Sequence, residues 1–314
     1  MELNDRIKGA LVGFAYGDAL GLGTEFMTHE EAAHYYPDGL RRFSDIIRDP
    51  HRVQWRQGEW TNDATILYIL LESILEEGSL QVHRFAHKFK EWRDNETRDE
   101  IACIRACLKD PEWAEHPMAT AHRVWQTSGL HEASNEALAR SIAIGLTSPA
   151  ETLDKDASII VLITHDDSRC SASSVVMARM IRALLLTGEP APLETLREGC
   201  NIYNARVRPF VDMAYNGDIK GLAIDDEETM TWTRKSMGCA LWSLWHHDNA
   251  ADTIHSVIDL GGDSNTNAAL AGALAGMRYG YDSLPEEINN MKGLEYLLEL
   301  SDRLTEYIDR KFFR

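Results

Sequence analysis

Positive charge is what this 314-residue sequence has least of. Lys and Arg total 32 against 50 Asp and Glu, giving a formal net charge of −18 with His neutral. A chain this acidic repels nucleic-acid backbones and anionic membranes, which argues against binding either through overall charge. A local basic pocket for a phosphate-bearing ligand stays open, and solubility is the plain explanation for most of the acidity. Long apolar runs are missing too. The stretch Ala10 to Tyr16 soon meets Asp18, and the N-terminus reads Met-Glu-Leu-Asn-Asp with no basic region. Neither a signal peptide nor a membrane span is expected. Cysteine is sparse and odd in number, five in all, which points to reduced thiols and a cytoplasmic protein. Cys103 and Cys107 would share a helical face, but no second pair follows at zinc spacing. Alternating β-branched runs are nearly absent, and no linker, low-complexity segment or fixed-period repeat divides the chain.

What is present reads with helical period. Thr65 to Glu77, Val82 to Asp94, Ser171 to Leu186, Thr231 to His246 and Leu294 to Phe312 each carry apolar residues at spacings of three and four. Ser158 to Thr164 (SIIVLIT) is the best strand candidate, and a buried helix accounts for it equally well. Pro37, Pro50, Pro111, Pro149, Pro190, Pro192 and Pro285 mark joints, and residues 41–59 read as a long loop. The expected architecture is all-α: a single compact multi-helix domain over residues 1–314. The stretch Trp232 to Trp245 belongs either to the core or to an interface, and oligomeric state stays open.

Two glycine patterns stand out. Gly9, Gly13, Gly17 and Gly21 recur every fourth residue, and Gly272 and Gly276 repeat the spacing within Ala268 to Gly276. Each forms a smooth helical stripe. A glycine inside a helix costs about 1 kcal/mol relative to alanine, so a stripe implies close approach by another helix or a ligand. Each stripe adjoins polar residues: Asp18 and Glu25 beside the first, Asp263, Asn265 and Thr266 before the second.

Two oxygen-rich clusters precede apolar helices, Gly58-Glu-Trp-Thr-Asn-Asp-Ala-Thr65 and Gly261-Gly-Asp-Ser-Asn-Thr-Asn267. Either could be an ordinary helix cap. Each holds more oxygen donors than one cap requires, and carboxylate, hydroxyl and amide oxygens are what a hard cation such as Mg²⁺ prefers. The second opens like an EF-hand loop, but Ala268 stands where that loop needs Gly and Leu274 where it needs Glu, which excludes it.

In these segments the chain resembles the ADP-ribosylglycohydrolase family, the relatives of the dinitrogenase-reductase-activating glycohydrolase. Gly9 to Phe26 is similar to the family's opening Gly-Asp-Ala-x-Gly…Glu motif and Gly58 to Thr65 to its Thr-Asp-Asp-Thr segment. Ser134 to Leu146 with Thr164-His165 is similar to its Asn-Gly-x-x-x-Arg segment and later Thr-His, and Leu260 to Gly280 to its Gly-Gly-Asp-x-Asp-Thr segment. The four lie in order across nearly the whole chain. The resemblance implies an all-α hydrolase that cleaves the glycosidic bond of an ADP-ribosylated protein or small molecule, with two Mg²⁺ ions in a central cleft. It implies Glu25, Asp63 and Asp263 as catalytic residues, and Thr61, Asn62, Asp63, Asp263, Asn265 and Thr266, with Glu25, as metal positions. It puts Asn135, Arg140 and His165 near the ADP-ribose, although Arg140 and His165 also suit buried structural roles.

The chain departs from that pattern where Asn62 and Asn265 replace two aspartates and Glu136 replaces a glycine. Asparagine offers a carbonyl oxygen but no charge and no general base. Three carboxylates neutralise two Mg²⁺ ions poorly, so one or both subsites should be weak. Glu136 should repel a diphosphate unless its side chain turns away. The alternatives are therefore a hydrolase, a catalytically impaired member that binds ADP-ribose or a related nucleotide without turnover, and a scaffold with an empty cleft.

Overall fold

Helical periodicity in the sequence becomes helix along most of the chain. A computed structural model describes residues 1–96, 98, 102–129 and 133–313. In order the helices are α1 (Leu3–Gly21), α2 (His29–Tyr35), α3 (Asn62–Glu77), α4 (Val82–Asn95), α5 (Ala102–Leu108), α6 (Pro117–Thr127), α7 (Arg140–Thr147), α8 (Leu153–Leu162), α9 (Ser168–Thr187), α10 (Leu193–Tyr203), α11 (Arg208–Tyr215), α12 (Ile219–Leu222), α13 (Thr233–His246), α14 (Ala250–Asp259), α15 (Ser264–Tyr279) and α16 (Leu294–Phe312). Among the described residues there is no strand, only two isolated β-bridges, Met27 with Gly262 and Ser134 with Trp232. Residues 158–162 of the strand candidate lie in α8, so helix is the outcome there. The loop over 41–59 is broken by 3₁₀ turns at Phe43–Asp45 and Arg52–Gln54.

The two glycine stripes meet each other. α1 and α15 run antiparallel, with Gly9 against Gly276, Gly13 against Gly272, Gly17 against Ala268, and Gly21 against Ser264 and Asn265. A Cβ added to Gly13 would stand 2.3 Å from the Gly272 carbonyl oxygen, and one on Gly276 would meet the Gly9 carbonyl oxygen at a still shorter distance. Both helices are buried almost throughout, so this pair is the axis of the core. α9 is apolar enough and long enough to cross a membrane, yet it is mostly buried within the fold, against α7, α8 and α10. The α1–α15 pairing brings the end of α1 beside the start of α15, and the start of α3 is drawn to the same place by Asp18.

Candidate metal centre and cleft

Asp18 is fully buried on α1 and does at α3 what a cap residue would do. Its carboxylate accepts hydrogen bonds from Thr61 N (2.9 Å), Thr61 Oγ1 (2.6 Å) and Ala64 N (3.2 Å). Unpaired N–H groups at a helix start need an acceptor, and a carboxylate there also meets the favourable end of the helix dipole. Neither Thr61 nor Asp263 makes a side-chain cap for its own helix. The ordinary-cap explanation therefore falls away for Thr61, whose hydroxyl is given to Asp18.

α3 begins earlier than the apolar periodicity indicated, at Asn62, so Asn62 and Asp63 lie in its first turn. α15 likewise holds Asn265, Thr266 and Asn267 in its first turn, behind Asp263. The two starts touch: Thr266 Oγ1 donates to Asp63 Oδ2 at 2.7 Å, across 203 positions of sequence. Asn135 Nδ2 donates to Asp263 Oδ2 and to Ser236 Oγ, both at 2.7 Å. Burial is the largest influence on Asp263 and pushes its carboxyl up to about 6, opposed by the hydrogen bonds from Asn135 and Thr266 and assisted by nearby Glu136.

The Gly261-Gly262 turn is what lets this second start fit. Both residues have positive φ, 72° and 70°, and Gly262 pairs with the segment after α1 through Phe26 N to Gly262 O and Gly262 N to Met27 O, each 2.7 Å. A Cβ at Gly262 would lie 2.2 Å from the Ile224 carbonyl oxygen. The same pairing brings Glu25 alongside. Its Oε2 is 2.5 Å from Nε2 of His51, a residue of the long loop that the sequence pattern did not single out.

The donor set suits a hard cation incompletely. Asn62 Oδ1 and Asn265 Oδ1 are buried with no hydrogen-bond partner, as are both polar atoms of Asn267. Buried carbonyl oxygens without donors are costly and are the kind of atom a cation satisfies. Against this, no three His, Cys, Asp or Glu side chains among the described residues gather closely enough to hold a metal by themselves. Any ion would depend on the Asn and Thr oxygens. The residues fit Mg²⁺ in type, with less negative charge than two ions need.

The residues expected around ADP-ribose divide. Asn135 is 1% exposed and is engaged with Asp263. Arg140 is fully buried: Nη1 donates to Ile160 O (3.1 Å) and Thr164 Oγ1 (2.8 Å), and its guanidinium lies over the Phe85 and Phe89 rings. Burial pulls its pKa down to about 10, so it remains charged at neutral pH. His165 is also buried, with Nδ1 2.8 Å from Thr164 Oγ1 and Nε2 2.9 Å from Ser134 Oγ. Burial opposes its protonation, but Cys103 and Glu136 outweigh that and push it up to about 9. Glu136 Oε2 lies 3.2 Å from His165 Nε2, and the Cys103 thiol is itself raised, first by its hydrogen bond with Cys107 and then by burial. Arg140 and His165 are thus buried and tied to Ile160, Thr164 and Ser134, while Arg140 Nε and Nη2 are buried without a hydrogen-bond partner.

An all-α domain of this shape is found in a solved ADP-ribosylglycohydrolase-related protein complex. It superposes with a TM-score of 0.75 at 23% identity, covering 98% of this chain and 99% of that one. That likeness defines the fold class, an all-α domain of the same architecture. The family model for ADP-ribosylglycohydrolase matches residues 1–312, and the chain belongs to that family. Among its relatives, an ADP-ribosylarginine hydrolase Tri1 from Serratia proteamaculans (strain 568) is 24% identical, over 96% of this chain and 80% of the relative. An ADP-ribosyl-(dinitrogen reductase) glycohydrolase from Rhodospirillum rubrum is 26% identical, over 90% and 89%. The human ADP-ribosylhydrolase ARH3 is 22% identical, over 90% and 87%.

Proposed function

We propose that this protein is a Mg²⁺-dependent ADP-ribosyl glycohydrolase, which adds water across the glycosidic bond between ADP-ribose and an acceptor. The observation that carries the reading is the Thr266–Asp63 hydrogen bond, which joins two helix starts that each present an unpartnered buried amide oxygen, Asn62 Oδ1 and Asn265 Oδ1. Thr61, Asn62 and Asp63 from α3, and Asp263, Asn265 and Thr266 from α15, with Glu25 beside them, would hold the ion. When bound, Mg²⁺ supplies positive charge that fixes ribose hydroxyls and offsets charge developing during cleavage. Glu25 accepts the proton of the attacking water, and His51 orients that carboxylate. Asn135 holds the Asp263 carboxylate in place. Arg140 and His165, both buried, would hold the surrounding helices in place.

Release of ADP-ribose from a mixed panel of ADP-ribosylated substrates, followed by chromatography, tests this. Activity should disappear on chelation, return with Mg²⁺, and fall at least 100-fold in Glu25→Gln. Release that survives both chelation and Glu25→Gln rules the reading out. A second reading has one specific observation in its favour: Asn62 and Asn265 bring no charge, so the cleft would bind ADP-ribose without turnover. Ligand-induced stabilisation with no product on any substrate selects it.

A further inference from the structure

A cavity of about 500 Å³ opens where both ends of the 41–59 loop meet the segment between α15 and α16. Arg42 and Ser44 come from the first end of the loop, Gln57 from the second, and Glu287, Asn290 and Lys292 from the segment. Its charged groups are therefore two cations and one carboxylate. The frame around it is stitched together. Lys292 N donates to Gly58 O at 2.8 Å, and Phe43 N donates to Glu287 Oε1 at 2.9 Å. Gly58 has a φ of 75°, and a Cβ there would stand 2.5 Å from the Asn290 carbonyl oxygen, so the second end of the loop is seated closely.

The cations in this frame have nothing to hold. Among the described residues, neither the Arg42 guanidinium nor the Lys292 ammonium has a hydrogen-bond or ion-pair partner, and the Gln57 amide is equally unengaged. Nearby arginines are not left so. Arg41 grips Asp259 through Nη1 and Nη2, each at 2.7 Å, and Arg52 pairs with Asp49. Glu287 touches neither cation: Oε1 is taken by Phe43 N, and Oε2 accepts from Asn290 Nδ2 at 2.8 Å. In a chain with 50 acidic residues against 32 basic ones, the cavity thus carries the opposite sign. A guanidinium fork, an ammonium and an amide N–H group together suit a phosphate group, whose oxygens accept.

The loop between those two ends reaches the cleft. It carries His51 Nε2 to within 2.5 Å of the Glu25 carboxylate, and Arg52 Nη2 to 2.6 Å from the Glu25 carbonyl oxygen. Lys292 also borders a second cavity, of about 260 Å³, which takes in Thr61 and Asn62. The larger cavity therefore adjoins the candidate metal centre without including any of its residues. We propose that this larger cavity binds a phosphate group through Arg42, Lys292 and Gln57, and that the bound anion fastens both ends of the loop to the segment before α16. The proposal stands apart from the glycohydrolase reading. The volume admits the carbon substituent of a phosphomonoester as well as free phosphate.

Inorganic phosphate and glycerol 2-phosphate are titrated calorimetrically into the full chain, with divalent metal chelated and ionic strength fixed. The variants are Arg42→Gln, Lys292→Gln and the two combined, both positions being exposed, and circular dichroism reports whether each is folded. Arg234→Gln is the control for a cation elsewhere. That guanidinium lies 4.7 Å from the Phe210 ring centre and 4.2 Å from that of Trp232, with no hydrogen-bond acceptor among the described residues. Loss of one charge-assisted contact should weaken phosphate binding about tenfold in either single variant, and the double variant should show none. Arg234→Gln should match the parent. Saturating phosphate should slow hydrogen exchange of amides within residues 42–57 in the parent and not in the double variant. Tighter binding of glycerol 2-phosphate identifies a monoester as the ligand, and tighter binding of inorganic phosphate identifies the free ion. Equal affinities in the parent and both single variants overturn the site. So does loss of binding in Arg234→Gln with Arg42→Gln unaffected, or no detectable binding of either compound to the parent. Binding that leaves exchange in the loop unchanged overturns the fastening.

Discussion

Single residues set the charge of the cleft. Asn62 and Asn265 stand at positions where a carboxylate would bring both an oxygen and a negative charge, and their carbonyl oxygens are buried without donors. Converting both to Asp should raise Mg²⁺ affinity at least tenfold in calorimetric titration and increase ADP-ribose release; equal affinities would show that the amides already suffice. Elsewhere, His255 makes stability depend on pH. Burial first, then the Arg41 charge, lowers its pKa from 6.5 to about 4, and its Nε2 is 2.8 Å from Tyr16 OH. Between those two values the unfolded chain binds a proton that the folded chain refuses, so stability falls as pH drops from about 6.5 toward 4. The loss is on the order of 2 kcal/mol, judged from the size of the shift. Urea unfolding at pH 7 and pH 4.5 should show that loss in the parent and a smaller one in His255→Gln.

At the scale of helices, the α1–α15 contact is the element that cannot be altered. Alanine at Gly13 or Gly276 gains roughly 1 kcal/mol of local helix propensity. It also drives a Cβ against a backbone carbonyl of the facing helix, which has no rotamer to change. Net destabilisation should exceed about 2 kcal/mol, at or above the upper part of the usual overpacking range, and appears as a lowered thermal midpoint. An unchanged midpoint would mean that the helices can part without cost. Because this contact holds Asp18 and the start of α15 in one place, the same variants should lose Mg²⁺ binding. The stripes were readable in the sequence as surfaces for close approach. That they face each other, not a ligand, follows from matching the two four-residue spacings in antiparallel order. α3 starts about one turn before its apolar periodicity does, because the polar residues Asn62 and Asp63 in its first turn carry no apolar signal. Asp18, lying within the first glycine stripe, supplies the cap from another helix.

For the whole molecule, ligand binding should report on the assembled cleft. ADP-ribose at about one hundred times its Kd should stabilise the fold by about 2.7 kcal/mol through mass action. The shift in thermal midpoint should grow when Mg²⁺ is added and vanish in Asp63→Asn/Asp263→Asn. A shift in that double variant equal to the parent's would put the ligand elsewhere.

The sequence by itself determined the helical class, the family, and both oxygen-rich segments. Those features live in periodicity and in short contiguous patterns, and neither needs distant residues to meet. Only tertiary structure decided that Asp18 caps α3, that His51 reaches Glu25, that Arg140 meets Thr164 and His165 meets Ser134, and that Arg98 sits between Glu59 and Glu96. Apart from the local Arg98–Glu96 contact, each of these pairs residues well separated along the chain. Such pairings arise from the direction in which packed helices point their side chains, and spacing along one chain does not encode that direction.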